Sequence, residues 1–282
     1  MAAAAIRAAP RSDMVTVAPG VQIHVLEEGK ATRLPVLVLV PGWRLTAAIW
    51  SDQLHALSQN RRVIAIDPRS QGDSTKTDEG DTPEQRARDY HALLASRGIR
   101  SCVLLGWSQG VQDVAAYVDQ FGTAGISGIV LVDSTISQGA SGIVSAPQFA
   151  QQQLKLLAVL ADSPREYTQG MMRAIISKPM SEAELDQLVA AALKTPTATA
   201  EAMLISDLFT TDRTPAIAKF NVPTLVIASG RSAELENQRR LAAQLPQGHI
   251  EIVDQAAHAV FIDQPRRFET LVRDFLDQLP KA

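Results

Sequence analysis

The chain is short of several things, and each shortage removes a class of protein. One cysteine in 282 residues, Cys102, cannot make an internal disulfide, so the fold must rest on its apolar core. A net charge of −3 offers no basic face for nucleic acid or an anionic membrane. No apolar run is long enough to span a bilayer. No histidine, cysteine or acidic group has metal-ligand spacing, and no glycine-rich loop has the pattern that cradles a phosphate or dinucleotide. Neither a metal nor a cofactor is therefore expected. Repeats are missing too, and low complexity is confined to the N-terminal alanines. The opening MAAAAIRAAPRSD lacks an apolar stretch ahead of its first arginines, and reads as a loose tip on a cytoplasmic protein.

What remains is ordinary globular composition, 46% apolar and 20% charged, at a length that suits one α/β domain carrying an insertion. Val15 to Val17 and Val21 to Leu26, parted by Pro19-Gly20, read as an antiparallel hairpin. Short apolar runs follow at Val36–Val40, Val63–Ile66, Cys102–Leu105, Ile129–Val132, Thr224–Ala228 and His249–Val253. Each has the look of a strand buried on both faces. Helical segments sit between most of them, at Ala47–Leu57, Thr82–Ser96, Gln109–Phe121, Leu235–Leu245 and Arg266–Leu279. That alternation predicts a mostly parallel, eight-stranded sheet with helices on both faces.

The interval 136–215 breaks the alternation. It has helical periodicity at Phe149–Leu160, Pro164–Ile176, Ser181–Leu193 and Ala198–Phe209, and no convincing strand. Ser181 with Glu184 three residues on has the form of a capping box. The expected organisation is a core of 13–135 and 216–282 with a helical cap of 136–215 over one end of the sheet. Ligands of such sheets bind at the carboxyl ends of the strands, so the cap would cover a site. Met171, Met172, Leu204 and Phe209 read as exposed apolar residues there, suited to a small lipophilic molecule.

The sharpest local signal is Gly106-Trp107-Ser108-Gln109-Gly110. It follows a strand directly and opens a helix, the context in which a serine sits on a strained turn with its hydroxyl lifted into the open. Ser108 is the candidate nucleophile. A serine hydroxyl is inert at neutral pH without a base. Of five histidines, His24, His55, His91 and His249 lie in strands or amphipathic helices, as packing or surface residues would. His258 lies in the loop between the last strand and the last helix, and is the candidate base.

Taken together these segments resemble the α/β-hydrolase superfamily, in the branch of esterases and haloperoxidase-like perhydrolases. The resemblance rests on Leu39-Val40-Pro41-Gly42-Trp43, Asp67-Pro68-Arg69-Ser70-Gln71-Gly72-Asp73-Ser74, the Ser108 elbow, Asp133, and Gln255-Ala256-Ala257-His258. It implies an α/β-hydrolase fold and oxyanion donors at the backbone N–H groups of Trp43 and Gln109. Pro41 stands where the family usually has histidine. Arg69 and Asp73 read as organisers of their loop, and Trp43 and Trp107 as pocket walls or, for Trp107, packing beside the elbow.

Many members place the triad acid after the seventh strand, as G-x-x-D. Here Gly230 is followed by Arg231-Ser232-Ala233-Glu234, with alanine at the expected aspartate. The alternatives are Asp133, at the end of the sixth strand, and Glu234; Asp133 is favoured because a strand end is rigid. The expected activity is hydrolysis of a small to medium lipophilic carboxylic ester or thioester through an acyl-enzyme, of the carboxylesterase type. The expected assembly is a monomer or homodimer. An acid after the sixth strand also resembles cofactor-free dioxygenases of 3-hydroxy-4-quinolones, although those carry histidine where this chain has Gln109. A third reading is a ligand receptor on a hydrolase scaffold.

Overall fold

The computed structural model describes residues 9–279. Eight strands form one sheet in the order β1-β2-β4-β3-β5-β6-β7-β8. They are β1 Arg11–Ala18, β2 Val21–Glu28, β3 Val36–Val40, β4 Val63–Ile66, β5 Cys102–Trp107, β6 Ile126–Val132, β7 Thr224–Ser229 and β8 Gly248–Val253. The β1–β2 hairpin is antiparallel, β2 joins β4 antiparallel, and every pair from β4 to β8 is parallel.

A pleated strand sends successive side chains to opposite faces, so a strand apolar at every position must be covered twice. In β3, Leu37 and Leu39 enter one core while Val38 and Val40 enter the other. The first core is closed by α1 (Ser51–Leu57) and α11 (Pro265–Gln278), through Leu54, Phe268 and Val272. The second is closed by α2 (Pro83–Ser96), α3 (Gln109–Phe121) and α9 (Leu235–Gln244), through Tyr90, Val114 and Leu241. Each fully buried aliphatic side chain contributes about 1.5–3 kcal/mol, which is how the fold dispenses with cross-links.

Between β6 and β7 the chain builds α4 (Ala140–Ser145), α5 (Pro147–Asp162), α6 (Pro164–Ile175), α7 (Glu182–Ala192) and α8 (Thr197–Ile205). A π-helical turn over Ser206–Thr210 and a 3-10 helix over Thr214–Lys219 complete it. Its ends are pinned together by an isolated antiparallel bridge, Gln138 to Asp212, and by the Arg213 N–H on the Ser137 carbonyl. At the head of α7 the Ser181 hydroxyl accepts from the Glu184 N–H, and the Glu184 carboxylate accepts from the Ser181 N–H.

Several expectations need correction. Strand β1 begins at Arg11, inside the stretch read as a loose tip, because Arg11 is in register with Glu27 and pairs with it. The rest of that reading falls on residues 1–8, outside the described residues. Ala47–Trp50 is a 3-10 turn ahead of α1, and Trp107 belongs to β5. Met172 is fully buried, while Met171, Leu204 and Phe209 are half-buried, because α6 turns Met172 into the first core. The exposed large apolar side chains of the insertion are Ile143, Val144, Phe149, Leu154, Val159 and Ile205. Among the described residues no single helix is long and apolar enough to cross a membrane.

Candidate active site

Strand order reverses at β3, which has β4 on one side and β5 on the other. Such a switch point opens a crevice at the carboxyl ends of the strands, and Ser108 and Gly42 sit there. Ser108 has φ 56° and ψ −117°, left-handed backbone for a residue with a Cβ. Strain of this kind costs about 1–3 kcal/mol and persists only where the surroundings hold it. Here the Ser108 N–H donates to the Val132 carbonyl at 3.1 Å, and its carbonyl accepts from the Val111 N–H at 2.9 Å. The flanking glycines are needed for close approach. A Cβ on Gly106 would lie 2.3 Å from the Gly110 carbonyl oxygen, and one on Gly110 would lie 2.7 Å from that of Val40.

The loop after β3 passes directly over the elbow, since a Cβ on Gly42 would lie 3.1 Å from the Ser108 Cβ. Neither the Trp43 nor the Gln109 backbone N–H is committed to a turn or cap hydrogen bond among the described residues. Gln109 follows the serine directly, and Trp43 follows Gly42, which packs against it.

His258 reaches this edge from the loop after β8. Its Nδ1 lies 2.8 Å from Asp133 Oδ2. A carboxylate oxygen accepts, so the contact suits the tautomer with its proton on Nδ1, in which Nε2 keeps its lone pair. The Trp107 indole N–H donates to the His258 carbonyl at 3.0 Å, and the two rings lie 5.2 Å apart. The residue preceding Ser108 thus supports the histidine. Among the described residues no hydrogen bond joins the Ser108 hydroxyl to the imidazole, a contact that commonly tightens only with substrate in place.

Asp133 is 4% exposed and held from three sides. Its N–H donates to the Ile227 carbonyl at 2.8 Å, and its Oδ1 accepts from the Ser229 N–H at 2.9 Å and Gln238 Nε2 at 3.0 Å. Glu234 is close by but makes no hydrogen bond to His258; its Oε2 accepts from the Thr135 hydroxyl at 3.3 Å. Burial raises the Glu234 carboxyl above its ordinary range, Asp133 adds to that, and His258 opposes it.

The histidine loop is also fastened to the insertion. Asp263, at the end of the short helix α10 (Val260–Asp263), accepts from the Ala257 N–H at 2.7 Å. It also accepts from the Ser177 and Lys178 N–H groups just past α6. The Ala259 N–H donates to the Ile175 carbonyl. Gln238, Ser229 and Asp263 carry no sequence motif, and their roles show only in three dimensions.

The two tryptophans differ. Trp107 is 1% exposed in the first core, so it packs beside the elbow, and its assignment as a pocket wall is corrected: it has no surface to offer. Trp43 donates its indole N–H to the Ala200 carbonyl of α8, meets Tyr167 edge-on at 6.1 Å, and heads an apolar cluster with Leu157, Leu160 and Met203. Arg69 forms a two-point ion pair with Asp89, and Asp73 reaches Lys194 of the insertion at 2.7 Å.

His24, Asp67 and Asp73 do come together, from β2 and from the loop after β4, with ligand atoms within 4.8 Å of one another. Those atoms already serve the protein. His24 Nδ1 lies 2.9 Å from Asp67 Oδ2, which also accepts from the Asp73 N–H, while Asp73 Oδ1 holds Lys194. The cluster locks a loop.

A sheet with a serine on a strained elbow at its switch point defines a class, the α/β hydrolases. Residues 37–271 match the alpha/beta hydrolase family, and the chain belongs to it. It is 36% identical over 121 residues to a non-heme chloroperoxidase from Streptomyces lividans, a match spanning 43% of this chain and 44% of that protein. It is 29% identical over 262 residues to a pimeloyl-acyl-carrier-protein methyl ester esterase from Edwardsiella ictaluri, covering 86% of this chain and 93% of the relative. The fold superposes on an esterase from Exiguobacterium antarcticum with a TM-score of 0.83 at 16% identity, over 95% of this chain and all of that one.

Proposed function

We propose that the protein is a serine hydrolase that cleaves small to medium lipophilic carboxylic esters or thioesters through an acyl-enzyme. The observation that carries this is the 2.8 Å contact between His258 Nδ1 and Asp133, with Ser108 on its strained turn at the same sheet edge. Asp133 fixes the imidazole tautomer whose Nε2 accepts a proton, and stabilises the imidazolium that results.

In the first half-reaction Ser108 Oγ attacks the carbonyl carbon as His258 Nε2 takes the hydroxyl proton. The Trp43 and Gln109 N–H groups hold the resulting oxyanion. Collapse expels the alcohol or thiol, protonated by His258. Water, deprotonated by the same nitrogen, then releases the acid and restores the serine. Helices 136–215 act as a cap, and the cluster around Trp43 supports an apolar acyl or alcohol group.

The test is labelling with a fluorophosphonate, mapping of the modified residue, and turnover of p-nitrophenyl esters of increasing chain length. Label is expected on Ser108, and Ser108→Ala is expected to lose both labelling and turnover with its fold intact. A Ser108→Ala protein hydrolysing at the wild-type rate overturns the assignment.

A further inference from the structure

Five arginines are buried among the described residues: Arg44, Arg61, Arg69, Arg86 and Arg213. Four face carboxylates. Arg61 lies 3.9 Å from Asp277, Arg69 pairs with Asp89, Arg86 lies between Asp113 and Asp207, and Arg213 pairs with Glu84. Arg44 is 0% exposed and has no such partner. Its Nη1 donates to the Thr168 hydroxyl at 3.0 Å, and its guanidinium lies 5.5 Å from the Trp43 ring centre. Nε and Nη2 have no partner.

An unpaired buried cation is strongly unfavourable, and native proteins keep one only where something else completes it. The free pair is informative. Nε–H and Nη2–H point the same way along one edge of the guanidinium, the spacing that matches both oxygens of a carboxylate. Among the described residues that edge is used so three times: Arg62 on Glu27, Arg69 on Asp89 and Arg213 on Glu84 each donate from Nε and Nη2 to the two oxygens of one carboxylate. In Arg44 the same edge meets no acid among the described residues.

The position matters as much as the charge. Arg44 follows Trp43 in the turn over the elbow and has φ 62°, a second left-handed residue beside Ser108. With Cα atoms about 3.8 Å apart along the chain, its Cα lies within about 12 Å of the Ser108 Cβ. The side chain lies beneath α6, beside the apolar cluster of Trp43, Leu160 and Met203. Beside the guanidinium stand the Trp43 ring, which Tyr167 meets edge-on, and the Thr168 hydroxyl.

We infer that Arg44 is a substrate-recognition residue that binds a carboxylate carried by the ester, so that the favoured substrates are monoesters of short dicarboxylic acids. The apolar cluster takes the methylene chain, and the Nε–Nη2 edge takes the free carboxylate at its far end. The kinetic consequence rests on the hydrolase reading above; the binding consequence does not.

The experiment has two arms. In the first, the Ser108→Ala protein is titrated with glutarate and with glutaramide, and Tm is followed. Glutarate is expected to raise Tm and glutaramide to leave it unchanged, with the glutarate response lost in Ser108→Ala/Arg44→Met. In the second, hydrolysis of monomethyl and dimethyl succinate, glutarate and adipate is followed by acid release. The ratio of kcat/KM, monomethyl over dimethyl, is expected to fall about 30-fold in Arg44→Met, as loss of a charged hydrogen-bonding fork implies. Arg44→Lys, which keeps the charge without the fork, is expected to fall between Arg44→Met and wild type. A merely structural arginine would lower Tm on removal and leave that ratio alone. A ratio unchanged within about threefold for all three acids, with no glutarate response, overturns the inference. Glutarate binding that needs Arg44 in a protein hydrolysing neither ester would sustain it while refuting the hydrolase reading.

Discussion

Replacing Asp133 with asparagine tests the site most directly, because the structure dictates how the new amide must sit. Asp133 Oδ1 accepts from the Ser229 N–H and from Gln238 Nε2, two donors that only an oxygen satisfies. The asparagine oxygen must take that place, which puts its NH₂ 2.8 Å from His258 Nδ1. An amide N–H there needs a lone pair on Nδ1, so the proton moves to Nε2. Nε2, the nitrogen proposed to take the Ser108 proton, is then blocked. The wrong tautomer in this arrangement costs about 10⁴-fold in kcat, or about 5.4 kcal/mol of transition-state stabilisation. The supporting hydrogen bonds survive, so Tm should stay close to wild type. The assay is initial-rate hydrolysis of p-nitrophenyl butyrate beside the rate of fluorophosphonate labelling, with thermal unfolding as the control for folding. Glu234→Gln, which alters a carboxylate bonded to Thr135 instead, should cost less than about tenfold. A well-folded Asp133→Asn enzyme within about tenfold of wild type, or a greater loss in Glu234→Gln, refutes the reasoning.

Other perturbations read other parts of the molecule. Asp263→Ala frees the Ala257, Ser177 and Lys178 N–H groups and loosens the histidine loop; kcat should fall roughly 10- to 100-fold, more than KM changes. A fall in Tm with kcat intact would show Asp263 to be structural only. Cys102 is 2% exposed, and burial pushes its thiol up to about 12, so a disulfide reagent at pH 8 should modify it only in denaturant. Rapid reaction in the native protein would contradict that burial. Asp207, buried against Arg86, has its carboxyl pushed up to about 7 by desolvation, from about 4 in an unfolded chain. Between those values the native state keeps a proton that the unfolded chain has lost, so this group's contribution to stability falls as pH rises from 4 to 7. Unfolding midpoints at pH 5 and pH 8 should therefore differ less in Asp207→Asn than in wild type, and equal differences would dismiss the effect.

The parts legible in the sequence are those a few consecutive residues define. Val36–Val40 must be a doubly covered strand because every second residue would otherwise face water. Gly106 to Gly110 must be a tight turn because a Cβ at either end meets backbone. The choice of acid was not of that kind. Asp133 and Glu234 both stand near His258, and what separates them is which carboxylate receives the Ser229 and Gln238 donors. That depends on how α9 lies against β7, which no local pattern records. Arg44 looks in the sequence like any loop charge, and becomes an unpaired cation only once α6 covers it. Met172, read from the sequence as exposed, is carried into the core by α6, while Phe149 at the head of the first periodic segment of the insertion meets solvent. The groups proposed to react sit on turns that backbone sterics specify, and what orients them comes from packing between distant segments. The insertion shows the consequence. The segment that supplies Thr168 to Arg44 also meets the histidine loop, through the Ile175 carbonyl and Asp263. On the proposed mechanism, changes in α6 that retune ester preference should also move His258, so altered specificity obtained there should come with altered kcat.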